Sequence, residues 1–365
     1  MTRALSDQTV SSENDASETP ARFLPACCFI VPPSVLRHYS RDESLDADTR
    51  TALQDSYLET ERLRGLREAH RTATLQDPHR LAPDTTPHKA VLQVFDCGNR
   101  RALPGLVVPR PSGAYKTANA TTAKVLEFYK KVLGRNSVDN KGFDLNSSLH
   151  YGKHYDNAFW NGRQMVYGDG DGKMFTGMYL SPDVIGHEIT HGVTQYESAL
   201  RYQGESGALN ESLSDVFGVV FNQWLNNWDV TEPKGWLVGA GIIAQPSKDK
   251  GIICLRDMVT PGAAHCLSTQ PDRYSQIDPT AEVHTNSGVP NKAFALFAKA
   301  LGGQAWTQAI RVWYDTATNR QLRTDATFAE FAGLTVKSAK KLGGATLARQ
   351  CKKAWDAVEV PAGSA

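Results

Sequence analysis

The 365-residue chain has no apolar run approaching the roughly 20 residues that cross a bilayer, so no helical membrane span is expected. Net charge is also lacking. Forty basic side chains against 39 acidic ones leave +1, too weak a field to recruit nucleic acid or an anionic membrane surface. Cysteine is scarce: six in 365 residues do not make a disulfide framework. Cys254 and Cys266 could pair, but reduced, buried thiols are the expected state. An ordinary secretory leader is missing as well. The most apolar early run, residues 23–31, follows a polar stretch carrying Asp7, Glu13, Asp15 and Glu18 and ends at Pro32-Pro33. A signal peptide wants a basic start, an unbroken apolar core and small residues at its cleavage site. The run therefore reads as a short buried strand or docking segment. The expected location is the cytoplasm, or release without an ordinary signal peptide, with secretion as the alternative.

What is present is an ordinary globular composition, 41% hydrophobic, enough for roughly two to three domain-sized units. Residues 1–21, rich in Ser, Thr, Asp and Glu, are expected to be disordered. Leu45, Leu53, Tyr57, Leu58, Leu63 and Leu66, set among many charges, predict one amphipathic helix from Ser44 to about Leu75. Residues 76–89, with three prolines, read as a linker. Beyond it Val91–Phe95 predicts a strand, and Ala120–Leu133 a helix stopping at Gly134. Residues 140–180, rich in Gly, Asn, Asp and aromatics, predict short strands and tight turns. Ser181-Pro182 then supplies a helix start, with proline at the first helical position. Further helices are predicted near 206–227, 287–301, 305–318, 327–341 and 345–358. The division is thus a leader and pro-segment over 1–88, a β-rich lobe over 89–180 and a helical lobe over 181–365, an α+β architecture.

The chemistry sits on the first helix of the last lobe. His187 and His191 are four apart, share a helix face and can hold one metal ion. Glu188, displaced around the helix, can reach a water at the metal. Two imidazoles leave the set incomplete, so a third ligand and an open position are required. Glu211 and Asp215, again four apart on a predicted helix, can supply it: one carboxylate as ligand, the other accepting a proton from the far nitrogen of a ligating histidine. Either pair alone is commonly an ordinary helix face. Together they point to a zinc hydrolase.

The chain resembles the thermolysin family. The similarity rests on Asn157-Ala-Phe-Trp-Asn-Gly162, Val184-Ile-Gly-His-Glu-Ile-Thr-His-Gly192, Tyr202-Gln-Gly-Glu-Ser-Gly-Ala-Leu-Asn-Glu211 and Val283-His-Thr-Asn-Ser-Gly288, in the family order over about residues 89–358. The resemblance implies a two-lobe fold with the active-site helix between the lobes, and a zinc-dependent endopeptidase acting on peptides or proteins. His187, His191 and Glu211 would be the zinc ligands and Glu188 the general base. Asp215 would support His187, and Asn210 would lie near His191. Tyr202 and His284 would donate to the oxyanion. Asn157, Ala158 and Trp160 would hold the substrate backbone as an added strand, and Arg256 would bind the carbonyl just after the cut. Phe175, Met178, Val184 and Leu255 would form an apolar pocket for the next side chain, favouring bulky hydrophobic residues there. A silent peptide-binding protein of the same fold and a zinc exopeptidase are the alternatives; intact Glu188, Tyr202 and His284 argue against the first.

Two departures carry expectations of their own. At the family's double calcium site the aligned residues are Asp183, Asn222, Gly235, Leu237 and Ala240. One carboxylate cannot hold two ions that each want six to eight oxygens, so no calcium is expected there. The turn before His284, residues 278–283, is one residue longer than the family's, and Asp278 or Glu282 is expected to orient that histidine. The N-terminal run from Cys28 through Pro32, Pro33 and Leu36 resembles the short pro-segment of protealysin-like precursors. It implies an intramolecular inhibitor with Cys28 nearest the zinc and the stiff Pro32-Pro33 pair lying along the cleft.

Overall fold

A two-residue strand, β1 (Cys28–Phe29), leads through Pro32 into helices α1 (Pro33–Tyr39) and α2 (Ala47–Thr74). Pro33 opens α1, where its missing N–H has no intrahelical partner to lose. The structure, a computed structural model, describes residues 28–74 and 87–363. The leader expected over 1–21 and the linker residues 76–86 lie outside them. The single amphipathic helix read from the leucine pattern is α2, and the apolar run before Pro32-Pro33 does contain a buried strand.

The next lobe holds β2 (Leu92–Asp96), β3 (Leu106–Val107), α3 (Gly113–Leu133), β4 (Leu145–Leu149), β5 (Ala158–Trp160) and β6 (Gln164–Tyr167). With β1 they form one sheet of order β1-β5-β6-β4-β2-β3. β6, β4 and β2 run parallel, whereas β1, β5 and β3 pair antiparallel with their neighbours. α3 stops at Gly134, whose φ of 71° suits a residue without a Cβ. It starts seven residues before the expected Ala120, because Ala114, Tyr115 and buried Ala118 continue its packing face across a polar stretch.

The helical lobe contains α4 (Pro182–Tyr196), α5 (Gly204–Asn226), the paired strands β7 (Leu237–Val238) and β8 (Arg256–Asp257) with short α6 (Gln245–Lys248) between them, then α7 (Val283–Asn286), α8 (Gly288–Leu301), α9 (Ala309–Ala317) and α10 (Phe328–Ala357). The two helices expected at 327–341 and 345–358 are the two arms of α10, parted where Gly343 and Gly344 leave helical geometry. α10 begins at a reciprocal cap between Thr327 and Glu330, each satisfying a backbone N–H that the first turn leaves unpaired. Trp313 and Trp355 stack at 5.9 Å in the core of this lobe.

The contact that positions the chemistry is α4 against α5. A Cβ on Gly218 would stand 2.6 Å from the Asp183 carbonyl oxygen, and one on Gly186 would stand 3.1 Å from the Gly218 Cα. Glycine at both positions therefore lets the two backbones approach more closely than side chains would permit. Ser181 precedes α4 with Pro182 at its first position, as expected, but its hydroxyl bonds the Asp183 carboxylate instead of capping a backbone N–H.

Candidate active site

α4 presents His187, Glu188 and His191, and α5 presents Asn210, Glu211 and Asp215; all are buried. The Nε2 atoms of His187 and His191 lie 3.0 Å apart, and each is 3.5 Å from an oxygen of Glu211. The other ring nitrogens are held from behind, His187 Nδ1 by Asp215 at 3.0 Å and His191 Nδ1 by Asn210 at 2.9 Å. Protons on those Nδ1 atoms leave Nε2 lone pairs facing each other and a carboxylate. That arrangement is repulsive without a cation and suits a divalent metal. Burial pushes the imidazoles of His187, His191 and His284 down, keeping them neutral, the state in which imidazole ligates. The Cys28 sulfur joins this cluster, within 4.8 Å of ligand atoms of His191 and Glu211.

Asp215 is the hub behind the ligands. It accepts from Arg256 Nε at 2.8 Å and Nη2 at 2.7 Å, and from Asn291 at 2.8 Å. Burial alone would raise its pKa, but Arg256 and His187 outweigh that and hold the carboxyl below its ordinary range. Glu188 goes the other way: burial first, then the charge of Glu211, pushes its carboxyl well up. The Tyr202 hydroxyl bonds Glu211 and stands 3.2 Å from His284 Nε2.

Residues 28–31 lie across this cluster as an added strand. Cys28 and Phe29 pair in register with Trp160 and Phe159. Ile30 donates to the Ala158 carbonyl at 3.2 Å, and the Asn157 amide makes both bonds to the backbone of Val31, at 2.9 and 3.0 Å. The Phe29 carbonyl accepts from His284 Nε2 at 2.6 Å and the Ile30 carbonyl from Arg256 Nη1 at 3.0 Å. Ile30, Phe175, Met178, Val184 and Leu255 are all buried in the main apolar core of the molecule. Pro32 and Pro33 follow directly and are buried. His187, His191, Glu211, Asp215, Asn210, Tyr202, His284, Arg256 and Asn157 are thus brought together around residues 28–31.

Other expectations fare differently. Neither Asp278 nor Glu282 bonds the His284 side chain. Asp278 folds onto Thr280, and Glu282 accepts from the Ser34 backbone and hydroxyl. The Glu282 carboxylate faces α1 instead, while the Gln270 amide donates to the His284 carbonyl at 2.6 Å. At the aligned calcium positions, Asp183 spends one oxygen on Ser181 and the other on the Gly239 N–H, and the Gln223 amide donates to the Gly235 carbonyl at 2.8 Å. Sequence reasoning also missed Asn291 and the anchors of α2. Nearly sealed Glu59 accepts from Tyr151 at 2.6 Å, Ser56 accepts from the Asp156 N–H at 2.9 Å, and Asp46 pairs with Lys173 at 2.8 Å. An asparagine in an apolar helix and a glutamate in a charged one carry no spacing signal that could have marked them.

Family models described as "Thermolysin metallopeptidase, catalytic domain" and "Thermolysin metallopeptidase, alpha-helical domain" match residues 52–195 and 198–360. The "Extracellular metalloprotease" of Pectobacterium carotovorum subsp. carotovorum is 41% identical over 282 residues, 73% of this chain and 80% of that protein. "Protease PrtS" of a Photorhabdus strain is 40% identical over 289 residues, 73% and 76% of the two chains. Among solved structures, the precursor of protealysin, a metalloproteinase from Serratia proteamaculans, superposes with a TM-score of 0.77 at 36% identity, covering 91% of this chain and 99% of that one. With the buried donor cluster and the strand laid across it in place, the chain belongs to the thermolysin family of metallopeptidases and is a metalloendopeptidase.

Proposed function

We propose that this chain is the precursor of a zinc endopeptidase that cuts on the amino side of bulky hydrophobic residues, held latent by its own residues up to about 88. The observation that carries the reading is the Phe29–Ile30 peptide: its carbonyl meets His284 and the next carbonyl meets Arg256, as the bond to be cut and its successor would. Two imidazoles, one carboxylate and an open position make the donor set of catalytic zinc sites. Zinc held there supplies polarisation of the scissile carbonyl and acidification of water. Glu188 takes the proton of the attacking water and returns it to the leaving nitrogen. Tyr202 and His284 donate to the oxyanion as charge develops. Arg256, Asn157 and Ala158 fix the peptide, and the buried apolar side chains of Phe175, Met178, Val184 and Leu255 select the side chain after the cut.

Latency follows from the same residues. A thiolate is a good zinc ligand, and Cys28 lies where it competes for the position that water needs. Pro32 ends the extended segment and Pro33, expected to extend it, instead turns the chain into α1, and Glu59, Ser56 and Asp46 fasten α2 to the body. The extracellular designation of the Pectobacterium relative supports action outside the cell. The test compares intact chain and Cys28→Ala by mass spectrometry alongside turnover of an internally quenched peptide. Cys28→Ala should activate sooner and acquire a cut between Phe29 and Ile30. Unchanged latency would assign the block to docking alone, and full activity of the uncut chain would overturn the precursor reading.

A further inference from the structure

The segment that carries Leu255 and Arg256 has a second cluster of metal-binding side chains behind it. Cys254 and Cys266 are partners in a parallel bridge, pinned by the Ile253 N–H to the His265 carbonyl and the Leu267 N–H to the Cys254 carbonyl, both 3.0 Å. Their sulfurs lie 3.6 Å apart, and a ring nitrogen of the intervening His265 lies with both within 4.8 Å. A disulfide requires sulfurs at about 2.05 Å. Two sulfurs sharing a tetrahedral zinc, each about 2.3 Å away, stand about 3.8 Å apart, close to the spacing here.

The histidine is also prepared for ligation. Its Nε2 stands 3.0 Å from the Asp257 carboxylate, and the tautomer that donates there has its lone pair on Nδ1. Asp257 is itself held by the Val259 and Thr260 N–H groups and the Thr260 hydroxyl. A carboxylate orienting a histidine in this way recurs behind metal-bound imidazoles. Cys254 is sealed from solvent, whereas His265 and Cys266 are half-buried, leaving a side by which an ion can enter.

We propose that Cys254, His265 and Cys266 form a second metal site, for a thiolate-preferring divalent cation such as zinc, which clamps the strand bearing Arg256. Two thiolates and an imidazole favour zinc over the hard cations calcium and magnesium. Leu255 and Arg256 directly follow the first ligand, so the ion would stiffen the wall of the cleft that receives the residue after the cut.

The test is metal content, measured on the full chain purified under a thiol-free phosphine reductant without chelator. About two zinc ions per chain are expected in the wild type and about one in Cys266→Ser and His265→Ala, the ion on His187, His191 and Glu211 remaining. A second measurement needs no variant: after aerobic purification without reductant, all six cysteines should titrate once the chain is denatured in chelator. One zinc per wild-type chain overturns the proposal. So does finding only four titratable thiols with Cys254 and Cys266 in one non-reduced peptide, which would make the pair a disulfide.

Discussion

Glu188 is fully buried, and burial pushes its carboxyl up, whereas the proposed mechanism needs it able to accept a proton. A divalent cation on the adjacent histidines would reverse that balance by stabilising the carboxylate. The division between ligand and base is therefore testable at one residue. Glu188→Ala should lose at least about a hundredfold in turnover while retaining its zinc, as measured by metal analysis and a quenched-peptide assay; an undiminished rate would remove Glu188 from the mechanism. At this scale the sequence was informative where chemistry imposes a spacing. His187, His191, Glu211 and Asp215 were readable because a helix turns residues four apart onto one face. Asn291 and Glu59 were not, because hydrogen bonds made across the tertiary fold leave no periodicity in the chain. Asp278 and Glu282 were misread for the opposite reason: an acidic residue near a histidine in sequence need not face it in space.

The active-site elements α4 and α5 meet through Gly186 and Gly218, and the position of His187 and His191 over Glu211 depends on that approach. Gly218→Ala places a methyl group 2.6 Å from the Asp183 carbonyl oxygen, a backbone atom that cannot swing aside. The substitution should cost about 1–3 kcal/mol in stability, read as a fall in unfolding midpoint, and should weaken zinc retention at the same time. Unchanged stability would mean that the helices can part without consequence. Helix positions were legible to within a few residues because their apolar faces repeat at helical spacing. The closeness of the two helices was not, since glycine in a helix carries no spacing signal and costs stability unless packing requires it. The break at Gly343-Gly344 was legible, because paired glycines interrupt the periodic apolar face between the two helical arms.

Across the whole molecule, two lobes and a docked N-terminal segment meet at one cleft. The family's calcium positions lie in the helical lobe, yet Asp183 is spent on Ser181 and Gly239, and Gln223 braces Gly235. Thermal melts in millimolar calcium and in EGTA should therefore nearly coincide; a large calcium-dependent shift would reveal a rebuilt site. The two-lobe division could be read from composition, turn-rich short strands giving way to periodic helices. The manner of docking was legible only in outline, because Pro32-Pro33 announces an extended segment but not the register of Phe29 and Ile30 against His284 and Arg256. In the proposed precursor, that register would make the N-terminal segment a poised substrate of its own cleft. The most direct measurement follows the full-length chain over time by intact mass and by cleavage of an internally quenched peptide with a bulky hydrophobic residue after the scissile bond. Turnover should be absent while the mass is intact, arise as the N-terminal segment is lost, vanish with a zinc chelator and return with zinc. Full turnover by the uncut chain, or turnover that survives removal of the metal, would contradict it.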